Sequence, residues 1–175
     1  MKAVFLDRDG TMIVDPPDFR VDSISDLHLF PDTVKALKLL ATLDYGVFEV
    51  TNQAGIGEGR LSQADFERIN NAFLDLTEAS GIKLLKIYVC PHKVEDNCAC
   101  RKPKPLMLLE AAKEFNIDLA QSYVIGDRES DIMAGVNAGT KTILVKTGNE
   151  PVTSKEATYT AKDLLEAVQY LAAHS

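Results

Sequence analysis

The chain has 175 residues, a formal net charge of -7 at pH 7 and a sequence pI of about 5.0. This length predicts one domain over residues 1–175 with a substantial core. The acidic balance excludes a general nucleic-acid surface, which would be basic. With 46% hydrophobic residues, no long apolar run and no signal-like N-terminus, the chain is expected in the cytoplasm without a membrane partner.

The first predicted strand, residues 4–6, ends in two carboxylates two positions apart. Asp7 and Asp9 precede Gly10, which permits a sharp turn or a close approach to a ligand. Side chains at i and i+2 of an extended segment point to the same side, so both acids are expected to face one small volume. Because like charges repel, the pair indicates a divalent metal, an acid/base pair, or both.

A loop rich in proline and acids, residues 15–22, follows beside this strand end. It either is a solvated connection or contacts substrate, with Asp15 and Asp18 as the candidates. Apolar residues at helical spacing then predict a packing helix from Asp32 that stops at Gly46.

The second predicted strand, residues 47–50, ends at Thr51 and leads into the glycine-rich segment 54–60. This segment is either a flexible loop or a source of backbone N–H groups for an anion. Ser62 opens a long helix that Gly81 closes. The apolar stripe expected to pack this helix on the core consists of Phe66, Ile69, Phe73 and Leu76.

The third predicted strand, residues 84–89, leads into a loop that holds every cysteine of the chain. Three cysteines and one histidine satisfy the tetrahedral preference of Zn²⁺. We therefore expect a closed, structural zinc site in the loop of about residues 90–103. The predicted ligands are Cys90, His92, Cys98 and Cys100.

A basic patch, residues 101–105, follows the zinc loop. It is either a solvated charge run before the helix 106–115 or a fixed cation for a phosphate. Lys102 lies two residues beyond the ligand Cys100, so the zinc site would hold it in place.

Acids again follow the fourth predicted strand, residues 122–126. Asp131 is explained by the favourable interaction of an acid with the first turn of the helix 132–138. Asp127 comes directly after a strand and a glycine, where an acid more often supports a ligand. A fifth strand is predicted at 142–145, and Thr160 with Asp163 is predicted to cap the last helix.

This alternation of strands and helices predicts an α/β fold with a doubly wound, mainly parallel sheet of five strands and no large cap domain. Ligands bind such sheets beyond the carboxyl ends of the strands. Carboxylates, a hydroxyl and an ammonium at these ends match the needs of phosphoryl transfer. The residues that occupy or follow the ends are Asp7, Asp9, Thr51, Lys102 and Asp127.

These motifs resemble the haloacid dehalogenase (HAD) superfamily of aspartate-nucleophile phosphatases. The resemblance rests on residues 7–11, 51–53, Lys102 and residues 126–131, and it spans most of the chain. The Cys/His loop narrows it to the zinc-loop branch, which includes histidinol-phosphate phosphatases and D,D-heptose 1,7-bisphosphate phosphatases. The resemblance implies a Rossmann-like core, catalytic Mg²⁺, structural Zn²⁺, a small phosphorylated metabolite as partner, and a monomer.

By this resemblance, Asp7 attacks phosphorus, and Asp9 acts as general acid and then as general base. Mg²⁺ is held by Asp7, the backbone carbonyl of Asp9 and Asp127, while Asp131 supports these ligands. The residues implied to contact the phosphoryl oxygens or the rest of the substrate are Thr51, Lys102, Arg8, Asp15, Asp18, Asn52, Gln53, Ala54, Arg101 and Arg128.

The sequence favours histidinol phosphate as substrate, because the five-residue gap between His92 and Cys98 and the loop 15–22 resemble that phosphatase. The segment 55–60 and Gly148 resemble the heptose branch, so D-glycero-D-manno-heptose 1,7-bisphosphate is the alternative. A phosphate-accepting signalling receiver and a non-catalytic zinc-stabilised binding protein are the other classes. A receiver needs no acid/base group two residues after its acceptor, so the spacing of the two first acids favours the hydrolase.

Overall fold

The computed structural model describes residues 1–17, 21–79 and 81–174, and its centre is a six-stranded parallel sheet. The strands are β1 (Ala3–Leu6), β2 (Gly46–Asn52), β3 (Lys86–Cys90), β4 (Tyr123–Gly126), β5 (Lys141–Val145) and β6 (Tyr159–Ala161). They lie in the order β3-β2-β1-β4-β5-β6, and every neighbouring pair is parallel. The direction of winding reverses between β1 and β4, which leaves a crevice at their carboxyl ends.

Helices cover both faces of this sheet. They are α1 (Thr33–Leu40), α2 (Ala54–Gly57), α3 (Gln63–Glu78), α4 (Leu106–Phe115), α5 (Glu129–Ala138) and α6 (Leu164–Ala173), with 3₁₀ turns at Ile24–Asp26 and Leu119–Gln121. One apolar cluster joins α1, α3 and α6 to one face, and a second joins α4 and α5 to the other. Because both faces are buried, the strands are almost continuously apolar. In the described part of the chain, no helix combines the length and the apolar character needed to cross a membrane.

The doubly wound parallel sheet is confirmed, but the predicted number of strands is wrong. The sixth strand, β6, has only three residues, which is too short to show a pattern, and its pairing with β5 supplies its order. Thr160 lies in β6 and does not cap the last helix. Asp163 alone caps α6, and its side chain accepts a hydrogen bond from the Glu166 N–H at 2.8 Å.

Helix α3 begins as predicted, with the Ser62 side chain accepting a hydrogen bond from the Asp65 N–H. Three members of its predicted stripe are buried, but Leu76 is 40% exposed. Thr77 takes the buried position in the last turn, because a stripe at helical periodicity reaches the fourth residue after Phe73. The apolar type of Leu76 was therefore misleading.

Candidate active site

Three buried carboxylates and one buried ammonium meet at the carboxyl ends of β1 and β4. Asp7 follows β1, Asp127 follows β4, and Asp131 lies in the first turn of α5. Their carboxylate oxygens lie within 4.8 Å of one another. The Lys102 Nζ is 2.6 Å from an oxygen of Asp7 and 2.6 Å from an oxygen of Asp131. The acids outnumber the lysine, so the cluster favours an additional cation.

Burial is the main influence on the proton affinities of this cluster. It raises the pKa of Asp7 well above its ordinary value, against the opposing charge of Lys102, and the neighbouring acids raise it further. Burial and the Asp131 charge raise the pKa of Asp127 to about 6. For Lys102 burial acts to lower the pKa, but the charges of Asp131 and Asp7 outweigh it and raise the pKa. A divalent cation among these oxygens would favour the ionised carboxylates.

The backbone closes tightly around the Asp127 carboxylate. A Cβ at Gly148 would lie 2.1 Å from Asp127 Oδ2, and one at Gly10 would lie 2.5 Å from the same atom. The Thr11 hydroxyl donates to Asp127 Oδ1 at 3.1 Å, and the Thr147 hydroxyl donates to the Gly10 carbonyl at 2.6 Å. Glycine at these two positions therefore allows two loops to fix one carboxylate.

Asp9 has different partners from Asp7, although both line the same pocket. The Arg8 Nε and Nη2 donate to the two Asp9 carboxylate oxygens at 2.8 and 3.1 Å. The Gln53 amide donates to Asp9 at 2.7 Å and to the Thr51 hydroxyl at 2.8 Å. Burial acts to raise the pKa of Asp9, but Arg8 and the Gln53 hydrogen bond lower it below its ordinary value. The charge of the Asp9 carboxylate is thus neutralised by Arg8, and not by the lysine that contacts Asp7.

The predicted zinc ligands are gathered at the end of β3. Cys100 Sγ lies 3.1 Å from Cys90 Sγ and 3.2 Å from His92 Nδ1, and Cys98 Sγ lies 3.5 Å from Cys90 Sγ. All four ligand atoms lie within 4.8 Å of one another. Three thiols and one imidazole nitrogen at such separations fit a tetrahedral metal ion, whose bonds to sulfur are about 2.3 Å long.

Reciprocal hydrogen bonds join this Cys/His loop to the end of β2. The Asn52 side chain donates to the Lys102 carbonyl at 3.2 Å and accepts from the Lys102 N–H at 3.1 Å. The Gln53 N–H donates to the Cys90 carbonyl at 2.7 Å. Lys102 Nζ also donates to the Val50 carbonyl, so the lysine is tied to β2 at its backbone and at its side chain.

A pocket of about 640 Å³ opens above the carboxylate cluster. The predicted site residues that line it are Asp7, Asp9, Asp15, Thr51, Asn52, Gln53, Ala54, Cys98, Arg101, Lys102, Arg128 and Asp131. Arg8 is fully buried beneath Asp9, and Asp127 is buried between the two glycines. Asp18, a predicted substrate contact, lies outside the described residues.

Two arginines stand at the rim of this pocket. Arg128 Nη2 lies 2.6 Å from Asp15 Oδ2, and Arg101 Nη1 donates to the His92 carbonyl at 3.2 Å. Burial raises the pKa of Asp15, against the opposing charge of Arg128. Asn149 donates to the Asp15 carbonyl at 3.0 Å and so fixes the start of the loop 15–22.

The pocket is also lined by residues that no sequence motif identifies individually. They are Val21, Asp22, Glu58, Leu61, Val94, Asn97, Lys104 and Ser130. Arg60 pairs with Asp22 and Glu58, which brings the glycine-rich segment against the loop 15–22. The sequence indicates only that both loops follow strand ends. The ion pairs of Arg60 depend on the tertiary fold and cannot be predicted from the sequence.

Comparisons with known proteins agree with this geometry. Residues 99–168 match a family model described as HAD-hydrolase-like. A D-glycero-beta-D-manno-heptose-1,7-bisphosphate 7-phosphatase from Helicobacter pylori is 40% identical over 171 residues, which cover 97% of each chain. The histidine biosynthesis bifunctional protein HisB from Campylobacter jejuni is 40% identical over 141 residues, which cover 80% of this chain and 40% of that protein.

A solved structure extends the likeness to the whole fold. The crystal structure of D,D-heptose 1,7-bisphosphate phosphatase from B. bronchiseptica, complexed with magnesium and phosphate, has a TM-score of 0.91 and 30% identity over 100% of both chains. The buried carboxylate cluster, the Cys/His loop and these full-length likenesses lead to one assignment. This chain belongs to the HAD superfamily of phosphatases, in the branch of the heptose bisphosphate phosphatases and of the phosphatase part of HisB.

Proposed function

We propose that this phosphatase removes the C7 phosphate of D-glycero-D-manno-heptose 1,7-bisphosphate. The observation that carries the proposal is the relative of that name, which matches over 97% of both chains, whereas the HisB match covers 40% of that protein. The order of the two substrates predicted from the sequence is therefore reversed. The short gap between His92 and Cys98, which favoured histidinol phosphate, carries less weight than a match over the full length.

The pocket supports a substrate with two phosphates. Its volume of about 640 Å³ is within the usual range for small-molecule sites. Lys102 and Thr51 lie at its base, where they would contact the oxygens of the reacting phosphoryl group. Arg101 and Arg128 stand at the rim and would meet a second anionic group.

Phosphate transfer would proceed in two displacements. Asp7 forms a bond to phosphorus while the bond from phosphorus to the C7 oxygen breaks, and that oxygen takes a proton from Asp9. Water then attacks the phosphoaspartate, gives a proton to Asp9 and releases inorganic phosphate. The first displacement requires Asp9 to carry a proton, whereas the hydrogen bonds from Arg8 and Gln53 favour its ionised form. Asp9 would therefore act as the acid with its carboxyl group turned from Arg8 towards the leaving oxygen.

The residues present fit two kinds of metal ion. Magnesium prefers oxygen ligands, and Asp7, Asp127 and the Asp9 carbonyl would hold it, with Asp131 supporting them. When bound, Mg²⁺ supplies charge neutralisation for the phosphoryl oxygens. Zinc fits the Cys/His group, where it would have a structural role and hold the loop that carries Lys102.

The proposal is tested by measuring kcat/KM for both anomers of the heptose bisphosphate and for histidinol phosphate, with phosphorus NMR of the heptose product. We expect loss of the C7 phosphate and a kcat/KM at least about tenfold above that for histidinol phosphate, a difference of about 1.4 kcal/mol in transition-state stabilisation. Histidinol phosphate is the second candidate, on the strength of the HisB relatives. A higher value for histidinol phosphate, or hydrolysis of neither compound, would reject the proposed substrate.

A further inference from the structure

Glu49 is a fully buried carboxylic acid in the middle of β2, and it does not line the pocket. In the sheet register it lies beside Leu6 of β1 and Ile87 of β3. A buried carboxyl group without a partner is costly, and such groups usually have a specific reason to be present. The two displacements described above give Glu49 no role.

Glu49 and Arg8 both have buried polar atoms without a hydrogen-bond partner among the described residues. Within the described residues, neither carboxyl oxygen of Glu49 has a hydrogen-bond partner, and neither does Nη1 of Arg8. Arg8 is 0% exposed, and its Nε and Nη2 are occupied by Asp9. Burial raises the pKa of Glu49 to about 7, with the Arg8 charge as the leading opposing influence. A guanidinium has donors on more than one edge, so Arg8 can serve two carboxyl groups.

The motion required of Asp9 gives this arrangement a use. When the Asp9 carboxyl turns towards the leaving oxygen, Arg8 loses its bidentate partner while remaining buried. A buried cation without a counter-ion is strongly unfavourable. Glu49 pairs with Leu6 in the sheet register, and Arg8 follows Leu6 by two residues, so their side chains are expected on the same side of the sheet. Both side chains are fully buried, which leaves Glu49 as a second carboxyl group in the core that holds the guanidinium.

We infer that Glu49 is a positioning residue for Asp9, because its carboxylate holds Arg8 while the Asp9 carboxyl is turned towards the leaving-group oxygen. This inference rests on the proposed role of Asp9 as general acid. Glu49 contacts neither substrate nor metal in this scheme. Its effect is confined to steps in which Asp9 has to leave the guanidinium.

The inference is tested by comparing Glu49→Gln on two leaving groups. The first is a primary alkyl phosphate, either the heptose bisphosphate or histidinol phosphate, whichever is hydrolysed with the higher kcat/KM, and its leaving oxygen needs a proton. The second is p-nitrophenyl phosphate, which releases a stable anion without one. The ratio of kcat/KM for the two compounds reports only the steps up to departure of the leaving group. We expect Glu49→Gln to lower kcat/KM about tenfold for the alkyl phosphate and less than about twofold for p-nitrophenyl phosphate.

Glu49→Asp separates charge from shape. It keeps the carboxylate but shortens the side chain, so we expect an alkyl-to-aryl ratio near that of the wild type. A merely structural role predicts the opposite order, since glutamine preserves the shape and aspartate leaves a gap. The exposed Glu78→Gln on α3 is the matched control and should leave both rates unchanged.

Asp9→Asn, measured in parallel, distinguishes failure of this inference from failure of the proposed mechanism. If Asp9→Asn loses alkyl hydrolysis selectively and Glu49→Gln does not, the inference is overturned and the mechanism stands. If Asp9→Asn shows no dependence on the leaving group, Asp9 is not the acid and both fail. Hydrolysis of p-nitrophenyl phosphate confirms folding in each preparation. If Glu49→Gln does not fold, a tenfold lower ratio in Glu49→Asp overturns the inference.

Discussion

The carboxylate cluster and the Cys/His loop are both potential metal sites, but they are built in opposite ways. Asp7, Asp127 and Asp131 come from two strand ends and a helix, are almost fully buried, and lie up to 124 positions apart in the chain. The Cys/His ligands fall within residues 90–100 and are buried only at Cys90. The first site exists because the whole sheet is folded, whereas the second is encoded by one short segment.

This difference predicts different consequences of damage. Changes at the carboxylate cluster should remove chemistry while leaving the fold intact, because a well-packed sheet holds the site. Changes at the Cys/His loop should remove local order first and chemistry second, because Lys102 follows Cys100 by only two residues. The four predictions below test this contrast, from the largest expected effect to the smallest.

Asp7→Asn is expected to abolish turnover, because an amide cannot replace the carboxylate as nucleophile. The melting temperature should be unchanged or higher, since the substitution removes one of three crowded acids. Steady-state phosphate release and calorimetry measure the two effects. Asp75→Asn, an exposed position on α3, is the control. Measurable residual turnover would remove Asp7 as the nucleophile.

Removal of zinc with a zinc-selective chelator, in excess Mg²⁺, is expected to lower kcat by on the order of 10², a factor typical of lost positioning. Structural zinc contributes about 10 to 16 kcal/mol in small peptides, but here a six-stranded core remains without it. Far-UV circular dichroism should therefore stay native while hydrogen exchange rises in residues 90–103. Zinc should restore activity. Global unfolding, or full activity without zinc, would contradict the contrast.

Gly148→Ala is expected to lower kcat by about 10- to 100-fold and to weaken the apparent affinity for Mg²⁺, as displaced metal-site residues commonly do. The physical reason is the Cβ, which would lie 2.1 Å from Asp127 Oδ2. A magnesium titration of activity measures the effect. Gly139→Ala is the control: its φ is +83 in open space at the end of α5, so stability should fall without a change in magnesium dependence.

Lys104→Met is expected to have the smallest effect, a loss of zinc that is only a few-fold faster, because an outer hydrogen-bonding partner is removed while all ligands stay. The Lys104 ammonium donates to the carbonyl and side chain of Asn97 and to the Cys98 carbonyl, at 2.7 to 3.0 Å. Transfer of zinc to a coloured chelator measures the rate. Lys113→Met, exposed on α4, is the control, and equal rates for the two variants would show that Lys104 does not support the loop.

Local patterns in the sequence predicted what depends on neighbouring residues. The apolar runs predicted five strands, the spacing of Cys90, His92, Cys98 and Cys100 predicted their grouping, and the acids after β1 and β4 predicted a cluster at one edge. These predictions succeeded because parallel strands bring their carboxyl ends together wherever the intervening chain lies.

What depends on distant residues could not be predicted. The pairing of Asp9 with Arg8 is local in sequence, but its importance comes from the complete burial of the guanidinium, which lies 5.9 Å from the ring centroid of Phe66 in α3. In the sequence Glu49 is one charged residue within the predicted strand 47–50, and only the pairing of β2 with β1 and β3 shows that it lies in the interior of the sheet. Strand β6 is too short to carry a pattern and is ordered by β5.

The short segment between His92 and Cys98 has a consequence for how substrate range can change. Its ends lie in the Cys/His group, and hydrogen bonds between Asn52 and Lys102 join the loop to β2. Val94 is 68% exposed and lines the pocket together with Asn97. Exchanges at 93–96, which leave the Lys104 contacts to Asn97 and Cys98 in place, are therefore expected to alter the pocket wall without moving the carboxylate cluster. Substitutions in this segment are therefore expected to change which substrates fit the pocket, while the residues proposed for the chemistry stay the same.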